Sequence, residues 1–146
     1  MWATRRPTQR ANASNSSAEP MLVTRIYTGD DEQSHFEELD LPLNITDLGA
    51  MSGPIPVESI FVRDTSEAGP DVYDYHVAPR RQLVIQVRGR TEIEVGGGEN
   101  RTFGPGDLLL ADDLTGQGHI SRQTEGPRLQ VFAVLSGAVD LELWRT

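Results

Sequence analysis

The chain has 146 residues, 37% hydrophobic and 24% charged, which is the size and balance of one soluble globular domain. A net charge of −9 argues against nucleic acid as a partner, since phosphate binding needs clustered Lys and Arg, and no stretch reaches the roughly 18 apolar residues of a spanning helix. With no Cys, disulfides, thiolate catalysis and Cys-bound zinc or iron–sulfur sites are excluded.

Residues 1–20 differ from the rest. Arg5, Arg6 and Arg10 stand against the single acid Glu19, so this tail carries +2 and the remainder −11. It is rich in Ser, Asn and Thr without apolar periodicity, and is expected to be disordered. It lacks the apolar stretch of a secretory signal, and the expected location is cytoplasmic. A basic, hydroxyl-rich transit peptide is the alternative, and Met21 is a candidate natural start because patterned sequence begins there.

From Met21 the pattern is that of short strands between Gly, Pro and Asp turns, giving one β domain over 21–146. Strands are expected at Leu22–Thr28, Glu58–Arg63, Val72–Val77, Gln82–Arg88, Thr91–Val95, Asp107–Ala111, Arg128–Leu135 and Val139–Trp144. Ser34–Leu41 is expected to hold at most a short helical turn. Gly89 is expected to turn a hairpin over Gln82–Val95, and Gly96-Gly97-Gly98 to turn another. Period two puts Gln82, Val84 and Gln86 on one face and Leu83, Ile85 and Val87 on the other. The apolar set would normally be the core face, whereas a barrel with a polar cavity would invert it. Strands of this length and spacing suit a sandwich or closed barrel.

Two stretches carry a resemblance. His76, three further residues, Arg80-Arg81-Gln82, six residues and Gly89 resemble the first cupin motif. Gly104-Pro105-Gly106-Asp107, an apolar strand and then His119 resemble the second. The likeness covers about residues 72–122. It implies a single-domain, all-β cupin jelly-roll barrel (a double-stranded β-helix), a homodimer, and a divalent metal inside. The Leu22–Tyr27 and Val139–Trp144 strands offer edges that need covering, on which such a homodimer is expected to form. Residue by residue, it places metal ligands at His76, Gln82 and His119. Two departures stand out. Ala78 occupies the position of the motif's second His, and Gln82 that of its Glu. The interval before His119 is also about two residues longer than the motif's.

The expected function is therefore a small-molecule enzyme using the barrel cavity, assisted by Fe, Mn, Ni, Cu or Zn in oxygenase, isomerase or lyase chemistry. A neutral imidazole suits such ions, while an amide oxygen is a weak donor without charge. Asp74, Asp112 and Asp113 are candidates for the missing ligand. A metal-free alternative is an isomerase or cyclase with His76 or His119 as general acid or base. A second alternative is a non-catalytic ligand-binding barrel. His35 reads as part of a solvated turn or as a residue closing the barrel mouth. Arg80-Arg81 read as surface ion-pair partners or as an anion-binding pair.

Overall fold

The computed structural model describes residues 17–145. Ten strands follow in chain order: β1 (Met21–Thr28), β2 (Ser34–Leu41), β3 (Asn44–Thr46), β4 (Gly49–Met51), β5 (Val57–Asp64), β6 (Val72–His76), β7 (Gln82–Glu94), β8 (Asn100–Phe103), β9 (Leu108–Asp112) and β10 (His119–Leu135). The class is all-β, as the turn-punctuated sequence implies. One mixed sheet runs β2-β1-β9-β7-β10-β5, with β6 also on β10 and β8 also on β7, while β3 and β4 form a separate hairpin. Among the described residues only β1 and β9 pair in parallel. Among the described residues no helix is long and apolar enough to cross a membrane.

Four expectations are corrected. Ser34–Leu41 is no helical turn but a full strand, in register with β1 from Met21↔Leu41 to Thr28↔Ser34. Its acidic residues are poor strand formers, yet cross-strand pairing overrides propensity, as in Arg25↔Glu37, whose side chains meet at 2.8 Å. Gly89 does not turn a hairpin. It sits inside the 13-residue β7 with φ 77°, opposite the register breaks of β10 between Gln123 and Leu129. A Cβ there would lie 2.6 Å from the Glu125 carbonyl and 2.8 Å from that of Pro127, so only glycine fits the bulged crossing.

Val139–Trp144 is no strand either. Leu141–Trp144 form a 3-10 turn capped by Asp140, which accepts from the Glu142 N–H at 3.0 Å. Finally, β1 pairs on both sides, so neither it nor the C-terminal segment offers the sheet edge on which dimerisation was expected to rest. The strand order ends on β2 and on β5, and β5 has Val57, Ile60, Phe61 and Val62 at the surface. The expected disorder of 1–20 falls mainly outside the described residues. Ser17 bridges Asn44, and the Ala18 N–H donates to the Leu43 carbonyl.

At β9 both faces of the sheet are covered, which explains its unbroken apolar run Leu108-Leu109-Leu110-Ala111. On one face Val23, Leu39, Leu83, Leu110, Ala133 and Leu135 pack beneath Leu141 and Trp144. On the other, Ile26, Val84, Ile93, Phe103, Leu109 and Ala111 form a second cluster that borders a cavity. Leu83 and Ile85 thus lie with the C-terminal cluster, while Gln82, Val84 and Gln86 line the cavity. The polar face of β7 looks inward.

Candidate functional site

The cavity has a volume of about 460 Å³, within the range that holds small organic ligands. His76, Gln82 and His119 all line it, as does Ala78 at the position where the motif has its second His. His76 ends β6 and His119 opens β10, and the two are Cα partners in that ladder. Gly118 permits the approach. At φ 81°, its backbone packs so closely on β6 that a Cβ would overlap the His76 carbonyl. The two imidazoles sit with centroids 4.5 Å apart and planes at 55°.

Each ring is oriented through its Nδ1. His76 Nδ1 lies 2.8 Å from the Asp74 carbonyl oxygen, which can only accept, so Nδ1 carries the proton and Nε2 a lone pair. Tyr73 stacks on this ring at 3.9 Å and 8°. Burial holds His76 below the ordinary histidine range. The Asp74 hydrogen bond opposes that shift, and the neighbouring His119 and Arg63 reinforce it. His119, buried at 6% exposure, sets Nδ1 2.6 Å from Asp113 Oδ2. Asp113 is fully buried, and its Oδ2 also accepts from the Ser34 hydroxyl at 2.7 Å. Both imidazoles therefore keep Nε2 free of the hydrogen bonds that orient them.

Gln82 is buried at 7% exposure, and its Oε1 has no hydrogen-bond partner. An orphaned oxygen of this kind costs roughly 1–3 kcal/mol, and on a cavity wall it is free to take a ligand donor. Asp113 Oδ1 is likewise buried without a partner.

Further along β7, where it bulges against β10, lies an amide-rich network. Gln130 Nε2 donates to Gln86 Oε1 at 2.9 Å, and Gln130 Oε1 accepts from Arg63 Nε at 3.0 Å and Nη2 at 2.5 Å. Behind it, Arg128 donates from Nε to Gln123 Oε1 at 2.9 Å and from Nη1 to Thr91 Oγ1 at 3.0 Å. Burial lowers the Arg128 guanidinium to about 10, with the charge of Arg63 adding to the shift.

The remaining candidates separate clearly. Asp112 is an ion-pair hub for Arg25 at 2.8 Å and Arg81 at 3.2 Å. Asp74 and Asp113 orient imidazoles from behind. None of the three stands in for a missing ligand, and among the described residues no group of three or more His, Asp and Glu gathers to hold a metal. Arg80 lines the cavity with its guanidinium 4.6 Å over the Phe61 ring, so the Arg80-Arg81 pair divides between cavity and ion pair. His35 is no part of the cavity and instead meets Asp31 at 2.9 Å on the surface. The sequence pattern marks Asp113 only as a candidate for the missing ligand, and it does not reach Ser34, Arg63, Gln130 or Arg128. No local pattern marks these residues, since their contacts join positions as far apart as 79 residues.

No protein-family model matches the chain, and no curated protein does. Among solved structures it is similar to protein NMB1881 from Neisseria meningitidis, with 14% identity over 92% of this chain and 100% of that one. The TM-score is 0.36, a likeness too remote to bear on fold or function.

Proposed function

We propose that the chain is a small-molecule enzyme of cupin-like jelly-roll architecture, performing general acid–base chemistry in this cavity with His119 as the proton-transfer residue. The observation that carries the reading is the buried 2.6 Å contact between His119 Nδ1 and Asp113. A carboxylate that holds Nδ1–H leaves Nε2 as the base and stabilises the imidazolium that forms when it takes a proton. His76 is suited to a different part, because a carbonyl partner and burial keep it neutral. Its Nε2 accepts a hydrogen bond from the substrate, and Gln82 Oε1 offers a second acceptor. Such a set fits removal and return of a proton, the common step of isomerisations and lyase reactions.

Deuterium incorporation tests this. The protein is incubated in D2O with a panel of enolisable small molecules, and exchange is followed by mass spectrometry. Exchange that falls by roughly two orders of magnitude in His119→Gln and in Asp113→Asn supports the assignment. Exchange undiminished in His119→Gln would overturn it.

A second reading is favoured by the ring orientations. Metal-bound histidines typically donate their other N–H to a carboxylate or carbonyl, as His119 and His76 do here. A divalent ion would be held by His76 Nε2, His119 Nε2 and Gln82 Oε1, and would supply Lewis-acid polarisation. The donor set fits in type, and being wholly neutral it would bind weakly. Metal analysis of untagged protein beside a His76→Ala/His119→Ala double variant separates the readings, near-stoichiometric metal lost in the variant favouring this one.

As for assembly, we propose a homodimer formed along β5, whose exposed apolar side chains and unpaired edge suit a second copy. Light scattering at micromolar concentration tests it, and a monomer would refute it.

A further inference from the structure

The chain contains 13 basic residues, all of them arginines, and ten lie among the described residues. Seven of those ten meet a carboxylate within an ion-pair distance: Arg25, Arg81, Arg88, Arg90, Arg101, Arg122 and Arg145. The three that do not are Arg63, Arg80 and Arg128, and these are the three at or behind the cavity. In a chain of net charge −9, acids are plentiful elsewhere. Arg80 is exposed and Asp71 acts on Arg128 from a distance, whereas Arg63 is half-buried; such a cation without an ion-pair partner is costly, and that cost falls when an anion arrives.

Arg63 has the geometry to receive one. Its Nε and one Nη2 hydrogen are engaged by Gln130 Oε1, which locks the guanidinium in place beside Phe132, 5.1 Å from that ring's centroid. The opposite edge, formed by Nη1 and the second Nη2 hydrogen, has no partner among the described residues. Two parallel N–H groups on a fixed plane match the two oxygens of a carboxylate. Arg80 adds positive charge along the same wall. Asp107, the acid that borders the cavity here, is occupied by the Gly104 N–H at 2.8 Å. Val84, Ile93, Phe103, Leu109 and Phe132 supply apolar walls for the rest of a ligand.

We propose that the cavity selects a small carboxylate-bearing molecule, its carboxylate clamped on the free edge of Arg63 and its apolar body reaching toward His76 and His119. This rests on the reading of the cavity as an enzyme site and names its substrate class.

The test uses paired probes that differ only in charge: benzoate with benzamide, and hexanoate with hexanamide, titrated calorimetrically into the full chain at millimolar concentration. Benzoate or hexanoate should bind while its amide binds at least about tenfold more weakly. Arg63→Met should weaken the carboxylate roughly 10- to 100-fold and leave the amide unchanged. Arg88→Met, on the surface opposite Asp64, should change neither. Equal binding of acid and amide, no carboxylate binding, or full carboxylate affinity in Arg63→Met would each overturn the proposal. Phenylphosphonate binding more tightly than benzoate would also overturn it. Should Arg63→Met fail to fold, Arg63→Lys decides, since it keeps the charge and loses the fork; undiminished affinity there sinks the proposal. His119→Gln separates the two readings. Carboxylate binding that persists in His119→Gln, with no proton exchange in any variant, leaves the anion site standing while the acid–base reading fails.

Discussion

His76 and His119 stand opposite each other in the β6–β10 ladder, with ring centroids 4.5 Å apart, and each is steered by an oxygen behind its Nδ1. The two oxygens differ in kind. A backbone carbonyl faces His76 and a buried carboxylate faces His119. Two imidazoles of one cavity thus meet unlike partners, and the proposed reading gives the first the part of acceptor and the second that of base.

That difference gives a first prediction. Asp113→Ala strands the Ser34 hydroxyl and the His119 N–H in a buried site and should lower stability by about 3 kcal/mol, with Asp113→Asn costing about half as much. Urea denaturation measures both. In Asp113→Asn, nitrogen NMR should show that His119 no longer holds its proton predominantly on Nδ1.

Gln82 gives a second. Its Oε1 is buried without a partner, so Gln82→Leu should raise stability by about 1 kcal/mol while impairing ligand binding or turnover. Gln82→Glu should destabilise at neutral pH because it buries a charge among neutral groups. A drop in melting temperature for Gln82→Leu would show that the amide is engaged after all.

The pH dependence of stability supplies the third. His76 titrates near 6.5 when unfolded and lower when folded. Between those two values the unfolded chain binds a proton that the native state refuses, so stability rises with pH across that interval. The contribution is complete above about pH 6.5 and is lost as pH falls through that value toward the folded pKa. His76→Gln should therefore flatten the loss of stability between about pH 7 and about pH 5, measured by denaturation at each pH.

Gly89 provides the fourth. Gly89→Ala meets both a left-handed φ of 77° and two carbonyl oxygens, and should cost about 3 kcal/mol. Gly97→Ala, at φ 90° in open space, should cost only about 1 kcal/mol, which isolates the conformational part. Equal costs would mean that the bulged crossing of β7 and β10 tolerates a side chain.

By itself the sequence determined the all-β class and most strand positions, because Gly and Pro end strands locally and period two can be read in any short window. It also singled out His76, Gln82 and His119, through the spacing that resembles a cupin, and all three line one cavity. Alternation has a period but no sign. Whether Gln82 or Leu83 faced inward was settled by the 3-10 turn at Leu141–Trp144, which covers the Leu83 face from about 60 residues away in the chain and leaves the glutamines to the cavity. Only the tertiary structure brought Ser34 to Asp113, Arg63 to Gln130 and Gln86 to Gln130, pairs 79, 67 and 44 residues apart. Such contacts follow from strand order and register in three dimensions, and no local pattern of residues encodes them.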